Sequence, residues 1–96
     1  MSRKDFATIS EGVMAGRAGL FTVVRIDVQK SFAPRDWTEL ATLPEGMRPA
    51  RTLYMDSQIG GYTARAYANA DGLLRVYNLQ TTAGNAMADT LLIPLL

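Results

Sequence analysis

Two prolines, Pro44 and Pro49, constrain this chain more than any other pair of residues. They lie in Trp37-Thr-Glu-Leu-Ala-Thr-Leu-Pro-Glu-Gly-Met-Arg-Pro-Ala50, after a run that reads as a short strand, Trp37 to Leu43. Proline fixes its own φ and biases the preceding residue towards extension, so Leu43 and Arg48 are both held extended. Between them Pro44-Glu45-Gly46 reads as a tight turn, with Pro44 in its second position and Gly46 free to take positive φ. The expected product is a rigid corner between two strands, built on Trp37, Pro44, Gly46, Arg48 and Pro49, with the next strand beginning near Arg51. The lone tryptophan, Trp37, is expected in the core.

The flanking sequence alternates as strands do. From Leu20 to Phe32, Val24, Ile26 and Val28 fall on one face and Arg25, Asp27 and Gln29 on the other, one side buried and one wet. Ala33-Pro34-Arg35-Asp36 is a turn. Beyond the corner, strands are expected over residues 52–58, 62–69, 73–79 and 87–95, with Gly60-Gly61 as a loop and residues 80–86 as a polar connection. Parity decides how the central hairpin closes. A two-residue Asp71-Gly72 turn would set Ala68 against Arg75 and Tyr67 against Val76. A three-residue loop, Ala70-Asp71-Gly72, pairs Ala68 with Leu74, Ala66 with Val76, Tyr67 with Arg75 and Arg65 with Tyr77. That register segregates the faces and puts Gly72 at the left-handed position of a type I turn plus bulge. Pro94 cannot donate a ladder hydrogen bond, so the last strand lies at an edge or stops pairing there.

Residues 1–19 mix charge, glycine and small side chains, and read as an N-terminal arm or neck in which Asp5 to Ser10 can pair as a short edge strand. Residues 20–96 are expected to form the β domain itself. The fold class is all-β, a small antiparallel β-sandwich or barrel-like head of about seven strands.

Length and composition narrow the functional classes. A chain of 96 residues makes one domain with a thin core. The absence of cysteine rules out disulfides and thiolate metal sites, and the absence of histidine removes the commonest general base and transition-metal ligand. No cofactor or metal is expected. A net charge of +1 supplies no field for nucleic-acid binding. No apolar run is long enough for a membrane span, and the first residues lack the charged-then-apolar pattern of a signal peptide. Arginine outnumbers lysine by eight to two, which suits planar contacts to carboxylates, phosphates and aromatic faces. In so small a domain without disulfides or metal, oligomerisation is one standard route to the missing buried area.

Two constellations carry candidate chemistry. Tyr54, Asp56, Gln58 and Tyr62 surround the Gly60-Gly61 loop, and a carboxylate and an amide beside aromatic rings suit a monosaccharide or glycerol-phosphate clamp. The competing reading is an ordinary polar loop. Arg65, Tyr67, Arg75 and Tyr77 share the outward face of the central hairpin as two crossed Arg/Tyr pairs. They suit a sugar ring or the phosphates of a cell-wall polymer. Alternatively they stabilise the hairpin by ~0.2–1 kcal/mol per pair, or pack on a neighbouring subunit. A glycoside hydrolase could draw only on carboxylate pairs such as Asp56 with Asp71 or Asp27 with Asp36, and nothing in their spacing favours a catalytic pair. No phosphate-binding glycine loop, metal loop or nucleophile elbow is present, and no catalytic residue is assigned.

Trp37 followed by Leu40-Ala-Thr-Leu-Pro-Glu-Gly-Met-Arg-Pro49 resembles a signature of the C-terminal head domains of bacteriophage tail-fibre and baseplate receptor-binding proteins. The resemblance continues through Arg51-Thr-Leu-Tyr54, through Asp71-Gly72 with Leu73-Leu-Arg-Val76, and into Leu91-Leu-Ile-Pro-Leu-Leu96, covering roughly the last two-thirds of the chain. Met47 departs from it, standing where an aromatic is common. The resemblance implies a homotrimer at a phage tail tip or baseplate, assembled in the bacterial cytoplasm with other tail or baseplate proteins. It implies reversible, non-catalytic binding of a bacterial cell-wall or surface saccharide, with the corner as scaffold. Two alternatives stay open: a structural module that trimerises and caps a fibre without any ligand, and a small glycan hydrolase.

Overall fold

The computed structural model describes residues 6–95, and every regular element among them is a strand. There are eight: β1 (Phe6–Ser10), β2 (Val13–Ala18), β3 (Phe21–Val28), β4 (Trp37–Thr42), β5 (Leu53–Ile59), β6 (Tyr62–Ala68), β7 (Leu73–Asn78) and β8 (Met87–Pro94). They form two four-stranded antiparallel sheets, ordered β1-β2-β3-β8 and β4-β7-β6-β5, packed face to face as a small sandwich. Among the described residues no helix is long and apolar enough to cross a membrane.

The N-terminal arm is a correction. Residues 6–18 are β1 and β2, paired into the first sheet, with Val13 and Ala15 fully buried. The glycines that resembled a flexible linker serve tight hairpins instead. Gly12 holds φ 75° and accepts a 2.7 Å hydrogen bond from the Asp27 amide, and a Cβ there would strike the Asp27 carbonyl. Gly19 holds φ 61° in the turn between β2 and β3. Pairing of residues before Ser10 at a sheet edge does occur, as β1; residues 1–5 lie outside the described residues.

Elsewhere the alternation translates directly into layers. Thr22, Val24, Ile26 and Val28 point inward from β3 and meet Leu40, Leu74 and Val76 of the second sheet within one core. Burying each aliphatic side chain of that set contributes about 1.5–3 kcal/mol. The β6–β7 register has Ala68 opposite Leu74, Ala66 opposite Val76, Tyr67 opposite Arg75 and Arg65 opposite Tyr77. These are the pairs of the three-residue loop, and Gly72 takes φ 97°. Asn69 closes that loop, its side-chain oxygen accepting from the Leu73 amide at 3.0 Å. β8 is an edge strand, as Pro94 requires. It lies against the β5 edge of the other sheet, where Ser57 Oγ donates to Asp89 Oδ2 at 2.7 Å and the Gly60 amide to the Ala86 carbonyl at 2.8 Å.

The two ends of the sandwich are closed by crossing segments. Because β4 and β5 are opposite edges of the same sheet, the Leu43–Thr52 corner must traverse one whole end. It is held from both sheets. The Leu43 amide donates to Gly72 O at 2.8 Å, Arg48 Nε to Leu43 O at 2.8 Å, and Thr22 Oγ1 to Met47 O at 2.8 Å. The turn itself differs by one residue from the expected one. Met47 donates to Pro44 O at 3.1 Å, which makes Pro44 the first position rather than the second and leaves Gly46 third, at φ 86°. Leu43, which would have opened the expected turn, gives its carbonyl to Arg48 Nε instead, so the chain reverses only after it. Pro49 is buried, and Met47 packs half-buried on the core.

At the opposite end the organiser is Asn78, a buried polar residue on the inner face of β7. Its Nδ2 donates to Phe32 O at 3.1 Å and Thr82 O at 3.0 Å, and its Oδ1 accepts from the Gln80 amide at 2.9 Å. These bonds tie together the β3–β4 and β7–β8 connections.

Candidate functional site

Register across the second sheet builds a continuous outer face from residues far apart in sequence. One row across the strands reads Trp37, Tyr77, Arg65, Asp56; the next reads Glu39, Arg75, Tyr67, Tyr54. Gln58 lies two residues beyond Asp56 on the same side of β5, opposite Thr63. The two constellations of the sequence are therefore one surface, with the exception of Tyr62. That residue has the parity of the buried Ala64 and Ala66, so it leaves the outer face and stands at the strand end, 66% exposed.

Trp37 is the second correction. It is half-buried on this outer face, not in the core. The signal was present: Trp37 and Glu39 are two residues apart in one strand, so a solvated Glu39 carries Trp37 to the same side. Leu40, three residues on, has the opposite parity and enters the core, and a bulge between Glu39 and Ala41 then brings Ala41 opposite the buried Leu74.

The rings pack edge to face. Trp37 lies 5.0 Å from Tyr77 and 5.7 Å from Tyr67, and Tyr54 lies 5.2 Å from Tyr67, all with interplanar angles of 60–67°. The Arg75 guanidinium lies over two of them, its central carbon 4.5 Å from the Trp37 centroid and 4.4 Å from that of Tyr67. A cation over each ring is favoured by ~0.5–2 kcal/mol according to its desolvation. The two rings, with centroids 5.7 Å apart, flank the guanidinium from adjacent directions, and its Nε is buried without a hydrogen-bond partner. A guanidinium can donate to carboxylate or phosphate oxygens through its terminal N–H groups. Asp56 and Gln58 line the β5 margin as exposed acceptor and amide, with Gln58 Nε2 reaching the Ala88 carbonyl of β8 at 3.4 Å.

The corner residues Pro44, Gly46, Arg48 and Pro49 stand apart from this face, at the end of the sandwich. The acids weighed for hydrolysis are dispersed. Asp27 is on the outer side of the first sheet, while Asp36 sits before β4, its Oδ1 accepting from the Trp37 amide at 2.8 Å. Asp71 is in the β6–β7 loop, accepting from the Leu73 amide at 3.3 Å, and Asp56 is within β5. Among the described residues no three of His, Cys, Asp or Glu converge to hold a metal ion. A concavity of about 650 Å³ lies between the β1–β2 turn and the end of β3 and is lined by Glu11, Asp27, Lys30 and their neighbours. It has no aromatic wall, so the aromatic face is the better candidate. Compared with protein-family models and with curated proteins, the chain matches none.

Proposed function

We propose that this chain is a receptor-binding head domain of a phage or prophage, holding a saccharide of the bacterial surface on the outer face of the second sheet. The observation that carries this reading is the clustering of Trp37, Tyr54, Tyr67 and Tyr77, two of them under Arg75, with Asp56 and Gln58 at the margin. A sugar ring offers an apolar C–H face to aromatic planes and hydroxyls to short polar groups, and here the exposed Tyr54, Asp56 and Gln58 adjoin the half-buried rings of Trp37, Tyr67 and Tyr77. Arg75 and Arg65 add donors for the carboxylate or phosphate oxygens common in bacterial surface polymers. The face is open, with neither histidine nor cysteine in the chain, so it suits binding rather than bond cleavage. The resemblance of Leu40 to Pro49 to phage receptor-binding heads supplies the biological setting: a homotrimer in the virion, at a tail tip or baseplate with other tail proteins, and in the bacterial cytoplasm during assembly.

The test is adsorption of the purified protein to host cells and to a bacterial glycan array. Tyr67→Ala, Asp56→Ala and Gln58→Ala should each weaken binding while far-ultraviolet circular dichroism and assembly stay unchanged. One lost hydrogen bond should cost about 0.5–1.5 kcal/mol per site, multiplied by avidity where several sites engage at once. Undiminished adsorption in all three variants overturns the site.

A second reading, a trimerising module without ligand, is favoured by Phe21 and Leu92, exposed on the outer face of the first sheet. It prevails if no glycan binds while the trimer persists. Release of reducing sugar from cell-wall polymer would instead identify a hydrolase.

A further inference from the structure

The end of the sandwich opposite the corner carries a second concavity of about 230 Å³, between the Gly60-Gly61 turn and the β7–β8 connection. Tyr62 stands at its rim, Ile59 and Asn78 contribute to its base, and Gln80, Thr82 and Asn85 line its wall. The wall is held in place by hydrogen bonds. Phe32 and Gly84 exchange backbone hydrogen bonds of 2.8 and 3.0 Å, Asn78 donates to Thr82 O at 3.0 Å, and the Gly60 amide donates to Ala86 O at 2.8 Å. Gly84 approaches β5 so closely that a Cβ would meet the Ile59 side chain. A cleft already ordered costs a ligand less conformational entropy on binding.

No charged side chain lines it, in a chain where 20% of residues are charged. The Asn78 amide is spent on Phe32 and Thr82, and Gln80 Nε2 donates to Thr63 O at 3.3 Å. The Gln80 side-chain oxygen, the Thr82 hydroxyl, the Asn85 amide and the Tyr62 ring are left to meet a ligand. These groups both donate and accept, as a ring of hydroxyls does, and the aromatic plane suits its C–H face. An anion would find no cation here, and an apolar ligand would leave amides unpaired. The volume falls below the ~300–1,000 Å³ of drug-sized sites, which limits the occupant to one small ring.

We infer that this cleft is a second binding site, for one uncharged sugar or polyol ring, with Tyr62 as its platform. Tyr62 faces away from Arg65 and Tyr67, so the cleft is separate from the aromatic face. It shares with the function proposed above only the ligand class.

The test is titration of the ¹⁵N-labelled protein with the methyl glycosides of glucose, galactose and N-acetylglucosamine, and with glucuronate. At tens of millimolar, at least one neutral glycoside should shift the amides of residues 59–62 and 80–86, and glucuronate should bind at least about tenfold more weakly. Tyr62→Ala should weaken the neutral ligand about tenfold, and Tyr62→Phe, which keeps the ring, should restore most of that loss. Tyr62 is exposed, so neither variant disturbs the core. Arg75→Ala should leave these shifts unchanged. No shift at the cleft with any neutral glycoside, or equal binding of glucuronate, overturns the inference. Shifts confined to β4, β6 and β7 overturn it while leaving the aromatic face standing, and shifts confined to the cleft do the reverse.

Discussion

Gly46 and Gly72 both hold positive φ, at 86° and 97°, in opposite surroundings. Around Gly46 nothing lies within 4 Å of where a Cβ would stand, so only the backbone conformation resists substitution. Around Gly72 the Cβ would be 2.6 Å from the Leu43 carbonyl oxygen and 2.7 Å from Arg48 Nε, the two groups that pin the corner. Gly46→Ala should therefore destabilise by about 1 kcal/mol, and Gly46→Val by more, because a β-branched side chain tolerates left-handed backbone least. Gly72→Ala should exceed Gly46→Ala, reaching about 2–3 kcal/mol as it displaces Arg48. Urea unfolding of the two alanine variants checks the order; an equal or reversed loss would mean that the β6–β7 loop does not brace the corner.

β6 is the element on which the two surfaces depend. Its inward side is Ala64, Ala66 and Ala68, each almost completely buried, and its outward side is Arg65 and Tyr67. Three methyl-sized side chains keep this strand close to the first sheet, and larger neighbours such as Phe32, Leu74 and Ile93 fill the remaining volume. The result is a slab whose Cα extents are 37 × 26 × 17 Å. Such a wall resists enlargement more than it resists loss. Ala66→Leu should overpack the core and cost about 1–3 kcal/mol, seen as a lower thermal midpoint. Tyr67→Ala, on the opposite side of the same strand, should cost less than Ala66→Leu in that measurement. The reverse order would mean that the aromatic face, and not the alanine stripe, fixes the strand.

For the whole molecule the exposed apolar surface bears on assembly. A 96-residue sandwich without disulfides has a modest core, and this one leaves Leu20 (55%), Phe21 (44%) and Leu92 (59%) exposed at one end of the first sheet. Phe21 and Leu92 share its outer face, beside Val23, which is opposite Leu92. Covering that patch with further copies of the chain would supply the buried area that the homotrimer of the proposed function requires. Light scattering at micromolar concentration should return about three times the 10.5 kDa chain mass, and Leu92→Glu should lower it. A folded, monomeric wild-type protein would overturn the trimer without touching either saccharide site.

The sequence by itself determined what depends on near neighbours along the chain. Period-two alternation assigned the faces of β3, and parity set the β6–β7 register, because a one-residue slip would have set Ala68 against Arg75 and Tyr67 against Val76, mixing apolar and polar side chains on each face. Gly46 was legible as a positive-φ residue and Pro94 as an edge marker, since both follow from covalent geometry. Tertiary structure alone decided what depends on which strands lie side by side. Strand order brought Trp37 next to Tyr77 and Tyr54 next to Tyr67, joining two separate constellations into one face and detaching Tyr62 from them. It turned the glycine-rich residues 6–18 from an arm into a hairpin, because pairing with β3 satisfies backbone groups that composition alone leaves to solvent. The buried duties of Thr22 and Asn78 were equally invisible beforehand. Their partners, Met47 and Phe32, are 25 and 46 residues away, and only the packed ends of the sandwich make those bonds possible.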